Sequence, residues 1–356
     1  MRLAIVGTGL IGASIGLAAR RGGAEVRGYD ADAAALELAG GRGAVKPADT
    51  LEEAVADAEI AVVAAPVTTL PRLVEEVLAA APDATVTDVG STKSAVCAAV
   101  GDARFIGGHP VAGAETQGPA HARPELFEGA TWFLTPRASS DAARYRALHG
   151  FVASLGAVPV AVDPDAHDRL LALTSHLPHA LANLLLNQVG ATRVEGHEPL
   201  AAGGGSLRDM TRVAGANPRV WVDIFLENAD ALAAALAEHR VRVQRLESAL
   251  AASDAGFLAR WIGEAATNRR DLYRDAYPVG DLQRLLVHVP DRPGVLAGIT
   301  QALGAERINI EDFELSHMSP ERGGGLSILI AGEEAARRAA ELLEGQGYGV
   351  DVAPAA

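Results

Sequence analysis

The spacing of apolar positions along the chain changes twice, and the changes divide it into three stretches. In the first, apolar runs at 3–6, 25–30, 59–66, 84–88, 104–109, 130–135 and 157–162 read as strands, separated by helical patterns at 13–19, 69–80 and 141–154. Strands alternating with helices predict a mostly parallel sheet whose ligands bind at the carboxyl ends of its strands. From about Asp165 to Tyr277 the strand pattern stops, and alanine and leucine recur at helical spacing. Helices are expected over 165–189 and 206–214, and Asn217-Pro218 opens a long one from 219 to about 250 with Leu232, Leu236, Leu246 and Leu250 in heptad-like register. An apolar helix of that length buries itself against a partner, which predicts a homodimer built on this stretch. In the third stretch the order is strand 281–289, helix 295–304, strand 308–315, hairpin loop 316–325, strand 326–330, helix 333–346 and strand 348–352. That βαββαβ order is ferredoxin-like.

The first strand runs into Gly7-Thr8-Gly9-Leu10-Ile11-Gly12 and then a small-residue helix. This is the dinucleotide-binding fingerprint of a Rossmann-like domain: Gly7 for the tight turn, Gly9 for backbone approach to a pyrophosphate, Gly12 for close packing of helix on strand. The helix start, with Leu10 and Ile11, offers unpaired N–H groups and the positive end of the helix dipole to the phosphates. Asp30 closes the second strand, where a carboxylate binds the ribose hydroxyls, and Pro66 closes a neighbouring one. A carboxylate at position 30 repels a 2′-phosphate, and Ala31, Asp32 and Ala33 supply no arginine to hold one, so NAD is favoured over NADP.

Charge and cysteine content narrow the function. A net charge of −14 argues against nucleic acid or an anionic membrane as partner, and requires local arginines to hold any anionic substrate. No apolar run reaches the ~18 residues of a membrane span. The chain enters its first strand directly, which predicts no signal peptide. Cys97 alone excludes an intramolecular disulfide and reads as a buried packing residue in a reducing, cytoplasmic setting.

Two strand ends carry candidate chemistry. Ser91, in Gly90-Ser91-Thr92-Lys93, reads locally as an N-cap for the following helix, and His109 before Pro110 as a turn residue. Together they place a hydroxyl and an imidazole near a nicotinamide, a pair suited to removing an alcohol proton. His176 and His179 lie three residues apart on one helix face, but no third ligand completes a metal site, so no metal is expected. Arg208 and Arg212 lie four apart, and guanidiniums so placed suit a dicarboxylate unless they serve only surface salt bridges.

GTGLIG at Gly7, DVGSTKS at Asp88, GGHPVAGAE at Gly107, LTSHLPHALA at Leu173 and RDMTRVAGANPRVWVDIFLEN at Arg208 together resemble the prephenate dehydrogenase family, arogenate dehydrogenases included, over nearly the whole chain. The last segment resembles an ACT domain through Asp291, Arg292, Pro293, Gly294 and Asn309. The resemblance implies an NAD-binding Rossmann-like domain over 1–163, an all-α substrate and dimerisation domain over 164–278 and an ACT regulatory domain over 280–356. It implies oxidative decarboxylation of prephenate, with arogenate as the alternative substrate. His109 then accepts the ring hydroxyl's proton, Ser91 orients both groups, and Arg212 and His179 bind substrate. Arg208 and His176 support the pocket, Glu115 and Trp221 line its entrance (the tryptophan reaching across from a second subunit), and the ACT turn with Asn309 binds an amino-acid effector, tyrosine by expectation. A 3-hydroxyacid dehydrogenase would share the domains without calling for Arg212 or the HPVAGAE stretch. A non-catalytic NAD and amino-acid sensor would have no use for Ser91 and His109 together.

Overall fold

Residues alternate across strand β1 (Arg2–Val6) so that Leu3 and Ile5 enter one apolar core while Ala4 and Val6 enter another. A strand buried on both faces belongs in the middle of a parallel sheet covered by helices. In the computed structural model, which describes residues 1–112, 116–274, 282–319 and 323–354, that is where β1 lies. With β2 (Glu25–Tyr29), β3 (Lys46–Pro47), β4 (Ile60–Val63) and β5 (Thr85–Asp88) it forms a parallel sheet of order β3-β2-β1-β4-β5. Helices α1 (Leu10–Arg21) and α2 (Ala33–Gly41) contribute to the first core, and α3 (Leu51–Val55) and α4 (Leu70–Ala80) to the second.

After β5 comes α5 (Ser94–Ala99), and the chain then returns beside β5: Val86 N–H donates to Arg104 O and Ile106 N–H to Val86 O. That contact delivers β6 (Gly107–Pro110) to the same edge as the ends of β1, β4 and β5. β6 pairs antiparallel with β7 (Thr131–Thr135), which precedes α6 (Ala142–Ser154) and pairs parallel with β8 (Val158–Ala161).

The helical stretch departs from its predicted boundaries where polar groups intervene. The expected 165–189 helix is α7 (Pro164–Leu171), a wider π turn over Ala172–His176, and α8 (Leu177–Ala191). Pro178 offers no N–H to the carbonyl four residues earlier and its ring crowds that carbonyl, so the chain widens ahead of it. α9 is short (Gly205–Met210), leaving Arg212 beyond its end rather than on one face with Arg208. The long helix from 219 is interrupted: α10 (Pro218–Glu227), capped by the Asn217 side chain, stops at Asn228, and α11 (Ala229–Ala251) follows. Asn228 is buried and commits its amide to partners outside the helix.

The chain divides into two compact units, Met1–Arg240 and Val241–Ala356, with the boundary inside α11. The second unit holds α12 (Ala255–Arg274) and an antiparallel sheet of order β10-β11-β9-β12, built from β9 (Leu282–Val289), β10 (Asp312–Ser319), β11 (Gly323–Ala331) and β12 (Gly349–Pro354). α13 (Val295–Ala305) and α14 (Glu333–Gly345) share its apolar core. β10 begins four residues later than the pattern suggested, because Ile308 is spent closing α13 through its N–H to Leu303 O. The hairpin is correspondingly tighter than the expected 316–325 loop. No described helix is long and apolar enough to cross a membrane.

Candidate active site

The glycine turn fits a dinucleotide. Gly7 has φ +96°, and a Cβ there would come within 2.0 Å of Ala64 O; a Cβ at Gly12 would come within 1.9 Å of Gly7 O. A Cβ at Gly9 would meet nothing within 4 Å, so the turn is closed against β4 and α1 but open on the side where phosphates approach. The N–H groups of Leu10 and Ile11 in the first turn of α1 have no acceptor within the helix. Asp30 is fixed at the end of β2: its Oδ2 accepts from Thr8 N at 2.6 Å and Thr8 Oγ1 at 3.0 Å. Pro66 begins a short 3₁₀ turn by accepting from Thr69 N at 2.9 Å.

His109 lies at the end of β6 and is buried. Its Nδ1 is 2.9 Å from His167 Nε2, and His167 Nδ1 is 2.8 Å from Asp168 Oδ1. Asp168 also accepts from the backbone N–H of Lys93 and of Ser94, both at 2.8 Å. The helix α5 is therefore capped by a carboxylate 75 positions away rather than by Ser91. Burial alone would push the Asp168 carboxyl pKa up, but hydrogen bonds from His167, Ser94 and Lys93 outweigh it and hold the group below its ordinary value.

An ionised Asp168 decides the protons along the line. It can only accept, so neutral His167 carries its proton on Nδ1 and presents a bare Nε2. With His167 in that neutral form, His109 donates from Nδ1, which leaves the lone pair on its own Nε2. Burial, followed by the neighbouring His167, Lys93 and His176, pushes the His109 pKa well below its usual 6.5, against the pull of Asp168.

The line continues from the backbone of Asp168. Asn228 Nδ2 donates to Asp168 O at 2.8 Å and lies 3.0 Å from His176 Nδ1. His176 is buried on the wide turn, and burial lowers its pKa to about 4, the charge of Asp168 opposing. The rings of His176 and Trp221 meet edge to face at 6.1 Å, and Trp221 stacks on His179 at 3.5 Å. His179 Nδ1 lies 3.0 Å from Ser175 O, and the charge of Arg212 reaches its ring, adding to burial in lowering its pKa.

His109, His176, His179 and Trp221 are thus joined by one chain of contacts, with the charge of Arg212 felt at its His179 end, and the tryptophan's stack is made within its own chain. Ser91 sits partly buried just past β5, in the turn that Asp88 holds against the His109 strand. Arg208 stands exposed on α9. Glu115 lies outside the described residues. Asp291, Arg292 and Gly294 precede α13 in the second unit, and Asn309 donates to Glu311 Oε1 at 2.9 Å. Sequence reasoning missed His167, Asp168 and Asn228. The available signal was a His-Asp pair among the inward positions of α7, beside Leu171. Among the described residues no group of three or more His, Cys, Asp or Glu could hold a metal.

Family models match throughout the chain: the prephenate dehydrogenase nucleotide-binding domain over residues 15–161, its dimerization domain over 163–264, and the ACT domain over 283–344. A prephenate dehydrogenase of Bacillus subtilis is 32% identical over 96% of this chain and 95% of its own. The crystal structure of Synechocystis arogenate dehydrogenase superposes with a TM-score of 0.69 at 29% identity, covering 77% of this chain and all of that one. A prephenate dehydrogenase of A. aeolicus, solved with hydroxyphenyl propionate and NAD⁺, superposes with a TM-score of 0.71 at 28% identity, covering 76% of this chain and 98% of that one.

The buried histidines give folding a pH signature. Below about pH 6.5 the unfolded chain takes up protons that His109 and His176 refuse, so their contribution is full above that value and is lost as pH falls, for His176 until about 4. Urea titrations at pH 8 and pH 5.5 should differ by about 1 kcal/mol on account of His176, and His176→Gln should remove that share.

Proposed function

Since the chain belongs to the prephenate dehydrogenase family, we propose that it converts prephenate to 4-hydroxyphenylpyruvate and CO₂, with NAD as hydride acceptor. NAD, held by the Gly7–Gly12 turn, Asp30 and the Pro66 end of β4, supplies a nicotinamide that takes the hydride from the carbinol carbon. His109 receives the hydroxyl proton on Nε2 as the ring carboxylate departs as CO₂ and the ring becomes aromatic, and then returns it to the ring oxygen of the phenol product. The observation that carries this reading is the His109–His167–Asp168 line, which leaves a lone pair on His109 Nε2. When His109 gains its second proton, His167 accepts from Nδ1 with an ionised carboxylate behind it, so positive charge spreads toward Asp168. Ser91 orients the hydroxyl, while Arg212 and His179 hold the substrate's carboxylate end beside Trp221. His176 and Arg208 are assigned to support of this pocket, and the family resemblance assigns Glu115 to its entrance.

Arogenate, which carries an amine where prephenate carries a keto group, is the alternative substrate, supported by the likeness to the Synechocystis enzyme. A homodimer built on the helical stretch accords with the dimerization-domain match and with exposed Leu184, Met210 and Leu226 on α8, α9 and α10. Tyrosine is the proposed effector of the second unit. Leu296, Ala297, Thr300, Ile310, Phe313, Leu326 and Ile328 there line an apolar cavity of about 120 Å³, between the Gly294 turn and Asn309, where a side chain could lodge.

Assays with prephenate and arogenate, each with NAD and NADP, should give highest turnover with prephenate and NAD. His109→Asn should lower kcat by roughly 10²–10⁴-fold, and the wild-type rate should fall only below pH 6.5, because the protonated ring cannot serve as acceptor. Full turnover in that variant would remove His109 from the role. Arg212→Ala should raise KM for substrate about tenfold or more with a smaller change in kcat, and an unchanged KM would refute its assignment. Calorimetry should detect tyrosine binding to the full chain; no heat, with no inhibition at saturation, would leave the second unit without this effector.

A further inference from the structure

Asp88 and Lys93 are fully withdrawn from solvent and form an ion pair with each other. An isolated charge of either sign would be strongly disfavoured at such a position, and even a paired one is rarely the most stable choice. What the pair touches suggests why the fold keeps it. Asp88 Oδ2 accepts from Gly90 N at 2.8 Å, and Oδ1 accepts from Gly108 N at 3.1 Å. One carboxylate therefore holds the residue before Ser91 and the residue before His109. The two strand ends are in close contact: a Cβ at Gly108 would lie 2.7 Å from Asp88 O, and one at Gly107 would lie 3.2 Å from Lys93 Cδ. The lysine stem thus runs against β6, and its backbone N–H is bound by Asp168.

We propose that the Asp88–Lys93 pair is a positioning device for the reaction: Asp88 clamps the Ser91 turn to the strand end that carries His109, and also fixes the Lys93 charge against that strand. The inference rests on reading His109 as the proton acceptor. The titratable and charged groups facing His109 are His167 and Asp168 on α7, His176 on the wide turn, and Lys93 ahead of α5. Of these Lys93, whose stem runs against the strand that carries His109, opposes protonation of the ring. The clamp keeps hydroxyl and imidazole in register, and the fixed cation keeps the imidazole ready to accept a proton.

The test uses the full chain with Asp88→Asn combined with Lys93→Met, which removes both charges together and keeps one acceptor for the two glycine amides. NAD affinity should stay within about threefold, reporting an intact glycine turn. The midpoint of the His109 ring, read by NMR of Cε1-labelled histidine, should rise by about one pH unit. With prephenate, kcat should fall at least about tenfold while KM changes less than about threefold, as expected when geometry is lost in the transition state but not in binding. An unmoved His109 midpoint with wild-type kcat would overturn the proposal. Because the NMR titration needs no turnover, it separates failure of this inference from failure of the assigned reaction. Should the double variant not fold, hydrogen exchange in the wild-type chain decides: the Gly90 and Gly108 amides should exchange among the slowest, and exchange at loop rates would refute the clamp.

Discussion

Asp168 is 4% exposed and yet ionised, because three N–H groups converge on its two oxygens: two from the backbone at the start of α5 and one from the His167 ring. Each of those bonds has its own consequence. The backbone pair fixes α7 against the parallel-sheet region, so that the helical stretch cannot move relative to the strand ends without losing buried charge-assisted hydrogen bonds. The ring bond sets the tautomer of His167, and through it the tautomer of His109. Its own carbonyl, bound by Asn228, connects the same joint to His176, Trp221 and the substrate-holding groups. A single carboxylate thereby bears on both the position of the His109 ring and, through His167, its tautomer.

The parts of this arrangement that depend on local backbone rules were readable in the chain. Gly7, Gly9 and Gly12 announce themselves because a positive φ, an open approach and a close helix contact each demand glycine at a fixed spacing. Ser91 was singled out by the strand-end rule, since it follows a strand of the parallel sheet, and His109 by the same expectation, although it lies within β6, which pairs antiparallel with β7. The role of Asp168 was legible only as an inward His-Asp pair on α7, because its partners Lys93 and Ser94 lie about 75 positions earlier and nothing local refers to them. The helical boundaries failed for a related reason. Apolar periodicity runs on through position 228, and only the demands of Asp168 and His176 on a buried amide explain why the helix stops there. The wide turn at 172–176 was signalled by Pro178, a local cue that periodicity alone overrides.

Acidic groups recur at the joints of this site, though the net charge of −14 already disfavours an anionic substrate. The charge of Asp88 is matched by Lys93, whereas Asp168 is held by N–H donors and keeps a net charge that is felt at His109 and His176. Against that background a substrate carboxylate must be won locally, the part proposed for Arg212, whose charge reaches the His179 ring stacked on Trp221.

The bond from Thr8 to Asp30 bears on any effort to retarget the chain to a phosphorylated dinucleotide. Replacing Asp30 with a small or basic residue would remove the repulsive carboxylate, but it would also strip the acceptor from both the amide and the hydroxyl of Thr8. Cofactor choice and the shape of the phosphate-binding loop are wired through one side chain. A redesign would have to supply a new anchor for position 8 in the same step.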